Sequence, residues 1–284
     1  GNIEEVARMY KFNPEEIVDF SANINPMGLS ENVKKAMINS IDKVIKYPDI
    51  TYFDLKNSIS NFEDINSQNI ILGNGAAEAI FNIVRALKPK KALLPAPTFS
   101  EYEEALRSVG AEVEYYYLCE EDNFQIRRDY VDKLSEEIDM IFLCNPNNPT
   151  GQTIDRDMLI KILDRCKKQN IVVILDECFL EFLDEPNRYE MSDLRGEYPN
   201  LLIIKAFTKI FSMPGLRLGY AISSNQDILE EMSFKLQQWN VSVPAQMAGV
   251  AALEKPKEYI RRTREYVSGQ REYMRNIMKM MGYV

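Results

Sequence analysis

The chain has 284 residues, 45% of them apolar, a formal net charge of −9 and no histidine. That apolar content supports a sizeable core, and the length suits one large domain with a smaller satellite. The negative balance disfavours nucleic acid or an anionic membrane as partner, and the lack of histidine excludes Ser-His and Cys-His nucleophile pairs and imidazole metal sites.

Residues 1–45 carry one clear helical signal, Ser30 as an N-cap ahead of a Val33, Met37, Ile41 stripe. The opening Gly1-Asn2-Ile3-Glu4-Glu5 has no basic region followed by an apolar one, so no signal peptide is visible. From about residue 70, short apolar runs recur at 69–72, 92–95, 113–118, 140–144, 171–175, 201–204 and 218–222. Between them lie helical stripes such as Ile80, Ile83, Val84, Leu87 and Leu159, Ile162, Leu163, Cys166. Such alternation predicts an α/β fold, a mostly parallel sheet of about seven strands covered by helices, with ligands at the carboxyl ends of the strands. No run approaches the length of a membrane span. From Pro244 onward the chain reads as helix, ending on a stripe of Met274, Ile277, Met278 and Met281. Cys119, Cys144, Cys166 and Cys178 are widely spaced and form no C-x-x-C pair, which predicts buried free thiols in a reducing cytoplasm.

Four loops hold the residues with chemical potential. Gly73-Asn74-Gly75-Ala76-Ala77-Glu78 joins a strand to a helix whose first N–H groups suit an anion such as phosphate, although such a turn needs glycine in any case. Asn145-Pro146-Asn147-Asn148-Pro149-Thr150-Gly151 is either a tight turn or a rigid mount for the Asn148 amide. Asp176 ends a strongly apolar strand, where a carboxylate is costly unless a cation or donor meets it, and a helix cap is the competing explanation. Lys209, with Thr208 before it and Arg217 eight residues after it, lies just beyond a strand end, where it is either a solvated charge or part of an anion pocket.

Taken together, GNGAAE, Pro97-Thr98-Phe99-Ser100-Glu101-Tyr102, NPNNPTG, a strand ending in Asp-Glu, and Thr-Lys followed by Pro-Gly-Leu-Arg-Leu-Gly-Tyr resemble the fold-type-I aminotransferase superfamily in order and spacing. The resemblance implies pyridoxal 5'-phosphate as cofactor, carried by Lys209 as a Schiff base. It implies that Asp176 pairs with the pyridine nitrogen, that Asn148 donates to the phenolic oxygen and that Phe99 stacks on the ring. Ala76 and Ala77 backbone, Thr208 and Arg217 would hold the phosphate. Tyr47 matches a tyrosine that reaches the neighbouring subunit's phosphate, implying a homodimer with shared active sites. Residues 1–45 would be an N-terminal arm and part of the small domain, 46–245 the large cofactor domain, and 246–284 the start of an incomplete α+β small domain. The family's carboxylate-binding arginine, in a C-terminal strand region, has no counterpart within this chain.

Within the superfamily, Asp19–Gly28, Phe99–Tyr102 and the Lys209 segment resemble threonine-phosphate decarboxylases of cobalamin synthesis and, next, histidinol-phosphate aminotransferases. Gly1-Asn2 matches the glycine-asparagine start of the former. A small phosphorylated amino acid is the substrate class implied, with Asn23, Gly28 and Asn148 on its side. Phe179 stands where the aminotransferases usually have tyrosine, and Ala206 where Ser or Thr is common. Decarboxylation, transamination and an inactive regulatory protein on this fold are the three readings, in that order.

Overall fold

A computed structural model describes residues 2–283; Gly1, half of the Gly1-Asn2 match, and Val284 lie outside the described residues. In chain order the elements are α1 (Ile3–Tyr10), α2 (Glu31–Ser40), α3 (Phe53–Glu63), β1 (Ile70–Gly73), α4 (Ala76–Leu87), β2 (Lys91–Ala96), α5 (Glu101–Arg107), β3 (Glu112–Tyr117), β4 (Met140–Cys144), α6 (Arg156–Gln169), β5 (Val172–Asp176), β6 (Leu201–Ala206), α7 (Phe207–Ile210), β7 (Gly219–Ile222), α8 (Gln226–Lys235), α9 (Val243–Ala252) and α10 (Pro256–Met280). All seven expected strands are present. They form one sheet in the order β1-β7-β6-β5-β4-β2-β3. Strand β7 is antiparallel to both its neighbours, and the remaining pairs are parallel.

Apart from the edge strand β3, the sheet is buried on both faces, so most of its strands read as near-continuous apolar runs, yet successive side chains still divide between two cores. Leu72, Leu143, Val173, Leu175, Leu201 and Ile203 face one core, closed by Leu55 and Ile59 of α3, Leu159 and Ile162 of α6 and Ala245 of α9. Ile71, Leu94, Phe142, Ile174, Leu202 and Ile204 face the other, closed by Ile80 and Ile83 of α4, Tyr102 of α5 and Met232 of α8. The helical stripes of α4 and α6 are the ones anticipated. Among the described residues no helix is long and apolar enough to cross a membrane.

Three local expectations need refinement. Ser30 does cap α2, its hydroxyl accepting from the Val33 N–H at 3.4 Å. The helix ends at Ser40, however, so Ile41 turns away and is 63% exposed. Cys144, Cys166 and Cys178 are buried free thiols, but Cys119 is exposed, because β3 has already ended at Tyr117. The methionine stripe at the end of α10 is likewise exposed at Met274, Met278 and Met281.

The segment before α2 is tied beneath the Lys209 helix. Asn25 is buried; its amide donates to the Ile210 carbonyl at 2.7 Å and to the Thr263 hydroxyl at 2.8 Å, and its N–H bonds the Lys209 carbonyl at 3.2 Å. One amide therefore joins the N-terminal segment, the lysine loop and α10.

Candidate active site

The β1–α4 turn, the β4–α6 loop, the end of β5 and the β6–α7 junction all lie at the carboxyl edge of the sheet. They enclose a cavity of about 120 Å³ lined by Ala76, Ala77, Phe99, Asn148, Asp176, Thr208, Lys209 and Arg217. Eight of the nine residues expected at the cofactor are thus brought together. Tyr47 is not among them: it is 81% exposed, with its ring 4.9 Å from that of Trp239.

Each group is mounted by local chemistry. In the β4–α6 loop, Asn145 accepts from the Ile154 N–H at 2.9 Å, and the Asn147 amide donates to the Pro97 carbonyl and to the Thr150 hydroxyl, each at 3.0 Å. These two asparagines staple the loop. Among the described residues the Asn148 amide has no such partner, and it faces the cavity. Asp176, 5% exposed, accepts from the Tyr102 hydroxyl at 2.7 Å and from the Cys178 N–H at 2.9 Å. Burial and the Asp176 charge push the Tyr102 hydroxyl well above its ordinary range, so it keeps its proton and donates. The same two causes push the Cys144 thiol up to about 12, so it stays neutral. Lys209 places its ammonium nitrogen 5.2 Å from the centroid of the Phe179 ring.

The anion seat depends on two glycines. Gly75 has φ +83°, and a Cβ there would lie 2.4 Å from an Arg217 guanidinium nitrogen. A Cβ on Gly219 would lie 2.4 Å from the Ala76 nitrogen. Glycine at both positions lets β7 and Arg217 close onto the start of α4. The N–H groups of Ala76 and Ala77, in the first turn of that helix, have no carbonyl one turn back. Two backbone donors, the Thr208 hydroxyl and a planar guanidinium therefore converge where a phosphate dianion fits. Phe99 and Asp176 line the same cavity, an aromatic face and a buried carboxylate, and this set of groups fits the chemistry of pyridoxal phosphate.

A second cavity, of about 610 Å³, adjoins the first through Asn148 and Phe179. Asn23 lines it, together with Tyr266 and Arg271 of α10. Gly28 lines neither cavity; its carbonyl accepts from the Tyr259 hydroxyl at 2.6 Å. Asn25, rather than Gly28, anchors this segment. Tyr102, in the first turn of α5, stands three residues after Phe99, which precedes the helix. The two rings meet edge to face at 5.6 Å.

Behind the site, Lys205 is buried with four carboxylates. Its nitrogen lies 3.1 Å from Glu63, 3.4 Å from Glu181 and from Glu190, and 3.7 Å from Glu177. Strand alternation explains the placement, since Ala206 faces the cavity and Lys205 the opposite side. Burial opposes the Lys205 charge, but Glu63, Glu181 and Glu177 hold it well above its ordinary value. Burial pushes Glu177 up to about 8 despite Lys205.

The family description "Aminotransferase class I and II" matches residues 15–283. The threonine-phosphate decarboxylase of Salmonella typhimurium is 37% identical over 254 residues, covering 89% of this chain and 69% of that protein. A putative threonine-phosphate decarboxylase of Caldanaerobacter subterraneus is 41% identical over 243 residues, covering 86% and 65%. The chain thus spans about two thirds of the length of these relatives. Among solved structures, histidinol-phosphate aminotransferase from Clostridium acetobutylicum superposes with a TM-score of 0.84 at 32% identity, covering 94% of this chain and 78% of that one. The chain belongs to the aminotransferase class I and II family, within the fold-type-I superfamily of pyridoxal-phosphate-dependent enzymes.

Proposed function

We propose that the chain binds pyridoxal phosphate in the smaller cavity and acts on a small phosphorylated amino acid as a threonine-phosphate decarboxylase. The observation that carries the cofactor reading is the convergence of Lys209, Asp176, Asn148, Thr208 and Arg217 on one cavity. When bound, the cofactor supplies an electron sink for the bond broken at the substrate's α-carbon. The chain's own residues do the rest. Lys209 would hold the cofactor through its side-chain amine, and the same amine is the group placed to move a proton. Asp176, held by Tyr102 and the Cys178 N–H, has its carboxylate fixed where it would pair with the ring nitrogen. Asn148 would offer a donor to the ring oxygen, and Phe99 would pack on the ring. Phe179 presents a ring without a hydroxyl, so that position offers no second donor. The larger cavity is the substrate side, with Asn23 and Asn148 in its wall.

The relatives at 37% and 41% identity support decarboxylation over transamination, and so does Phe179. Transamination of histidinol phosphate is the second reading, supported by the solved aminotransferase at 32% identity. We read residues 1–45 and 246–284 as parts of a smaller domain beside the 46–245 unit, and the assembly as a homodimer to which Tyr47 contributes. The deciding assay supplies each substrate to purified protein. Carbon dioxide release from threonine phosphate without a keto-acid acceptor is expected. Glutamate formed from 2-oxoglutarate with histidinol phosphate would replace this reading with the second one.

A further inference from the structure

The turn that seats the anion has four backbone donors to distribute, at Asn74, Gly75, Ala76 and Ala77. Gly75 N–H is spent on the Gly73 carbonyl at 2.8 Å, and Asn74 N–H on the Glu78 carboxylate at 2.6 Å. That leaves Ala76 and Ala77 pointing at the cavity. The arrangement puts a carboxylate in the first turn of α4, where the helix end attracts any anion. Left loose, Glu78 would compete with a phosphate for the same donors. Something must hold it on the far side of the turn.

Asn240, between α8 and α9, meets that need. Its side-chain amide donates to the same Glu78 oxygen at 2.5 Å and to the Leu72 carbonyl at 3.3 Å, while its own carbonyl accepts from the Asn74 amide at 2.9 Å. Its remaining side-chain oxygen accepts from the Tyr52 hydroxyl at 2.5 Å. One residue therefore grips the strand end, the turn and the helix start at once, and does not itself line the cavity. We infer that Asn240 is a positioning residue for the phosphate seat: by fixing Glu78 against Asn74, it reserves the Ala76 and Ala77 N–H groups for the phosphate. The inference rests on the reading that this seat takes the cofactor's phosphate.

The test compares two probes on cofactor-free protein, followed by absorbance. Pyridoxal phosphate uses the seat, whereas pyridoxal carries the same ring and aldehyde without the phosphate. Asn240→Ala is expected to weaken pyridoxal phosphate roughly tenfold or more, the scale of a lost bond to a charged group, and to leave pyridoxal affinity unchanged. Tyr52→Phe removes only the outer bond and is expected to show the same selectivity, to a smaller extent. It serves as the test if circular dichroism finds Asn240→Ala unfolded. Equal loss for both probes, or no loss for either in every folded variant, would overturn the inference while leaving the cofactor reading intact. Wild-type protein that binds neither probe would instead remove the cofactor reading, and this inference with it.

Discussion

Lys209 and Asp176 show what single residues owe to their neighbours. Neither differs chemically from the surface lysines and carboxylates that make this chain strongly charged. What separates them is placement at a strand end inside a cavity, with Tyr102 and the Cys178 N–H fixing the carboxylate. Replacing Lys209 by Ala removes a covalent attachment and a proton carrier together. Turnover is therefore expected to fall by several orders of magnitude, with loss of the absorbance band of lysine-bound cofactor. Near-normal turnover in that variant would sink the proposed function. Both residues were legible from sequence, because motif order placed them at strand ends. Tyr102 lies within the Pro97–Tyr102 motif, which by itself implies no role for it. Its bond to Asp176 joins side chains 74 positions apart, and periodicity carries no information about such a pair.

At the scale of elements, strand positions followed from apolar runs and α4 and α6 from helical stripes. The direction of β7 did not, because alternation reports which face a residue occupies and says nothing of which way its strand runs. The consequence is functional: β7 begins at Gly219, against the start of α4, and this reversal brings Arg217 to the anion seat. The turn itself states its requirement more plainly. Gly75 combines φ +83° with ψ 164°, a region open almost only to glycine, and its missing side chain is the space the Arg217 guanidinium occupies. Gly75→Ala is therefore expected to cost roughly 1–3 kcal/mol of stability from backbone strain. It should also weaken pyridoxal phosphate binding by at least about tenfold, as the guanidinium is displaced from a charge-assisted contact. Thermal melting and cofactor titration read the two effects separately, and unchanged cofactor affinity would remove Gly75 and Arg217 from the seat.

At the scale of the whole molecule, the smaller cavity lies on one side of the sheet and the buried Lys205 cluster on the other. Glu177 there has its carboxyl pushed by burial from 4.5 to about 8, with Lys205 pulling down and Glu190, Glu181 and Glu63 adding to the rise. A carboxyl whose folded value is raised binds its proton more tightly when folded. Its stabilising contribution is complete below about pH 4.5 and is lost as pH rises through 8. Glu177→Gln cannot ionise, so its melting temperature is expected to fall less than the wild type's between pH 6 and pH 9 (chosen to span the transition), by roughly a few degrees; parallel curves would contradict the assignment. Tyr47 lies outside its own chain's cavity and is 81% exposed, its ring tilted against that of Trp239, and its sequence neighbours Val44, Ile45, Ile50 and Phe53 are exposed as well. Exposed apolar side chains gathered in one stretch of sequence are what a covering partner would bury. If a second copy covers it, Tyr47 completes the partner's phosphate seat rather than its own. Two inactive variants then complement each other, because a chain with Lys209→Ala still lends Tyr47 and a chain with Tyr47→Ala still offers Lys209. Unfolded together and refolded as an equal mixture, they are expected to regain about a quarter of wild-type activity, since half of a random set of twofold dimers is mixed and each mixed dimer has one intact site. A mixture no more active than the average of the two separate variants would place Tyr47 outside the partner's site.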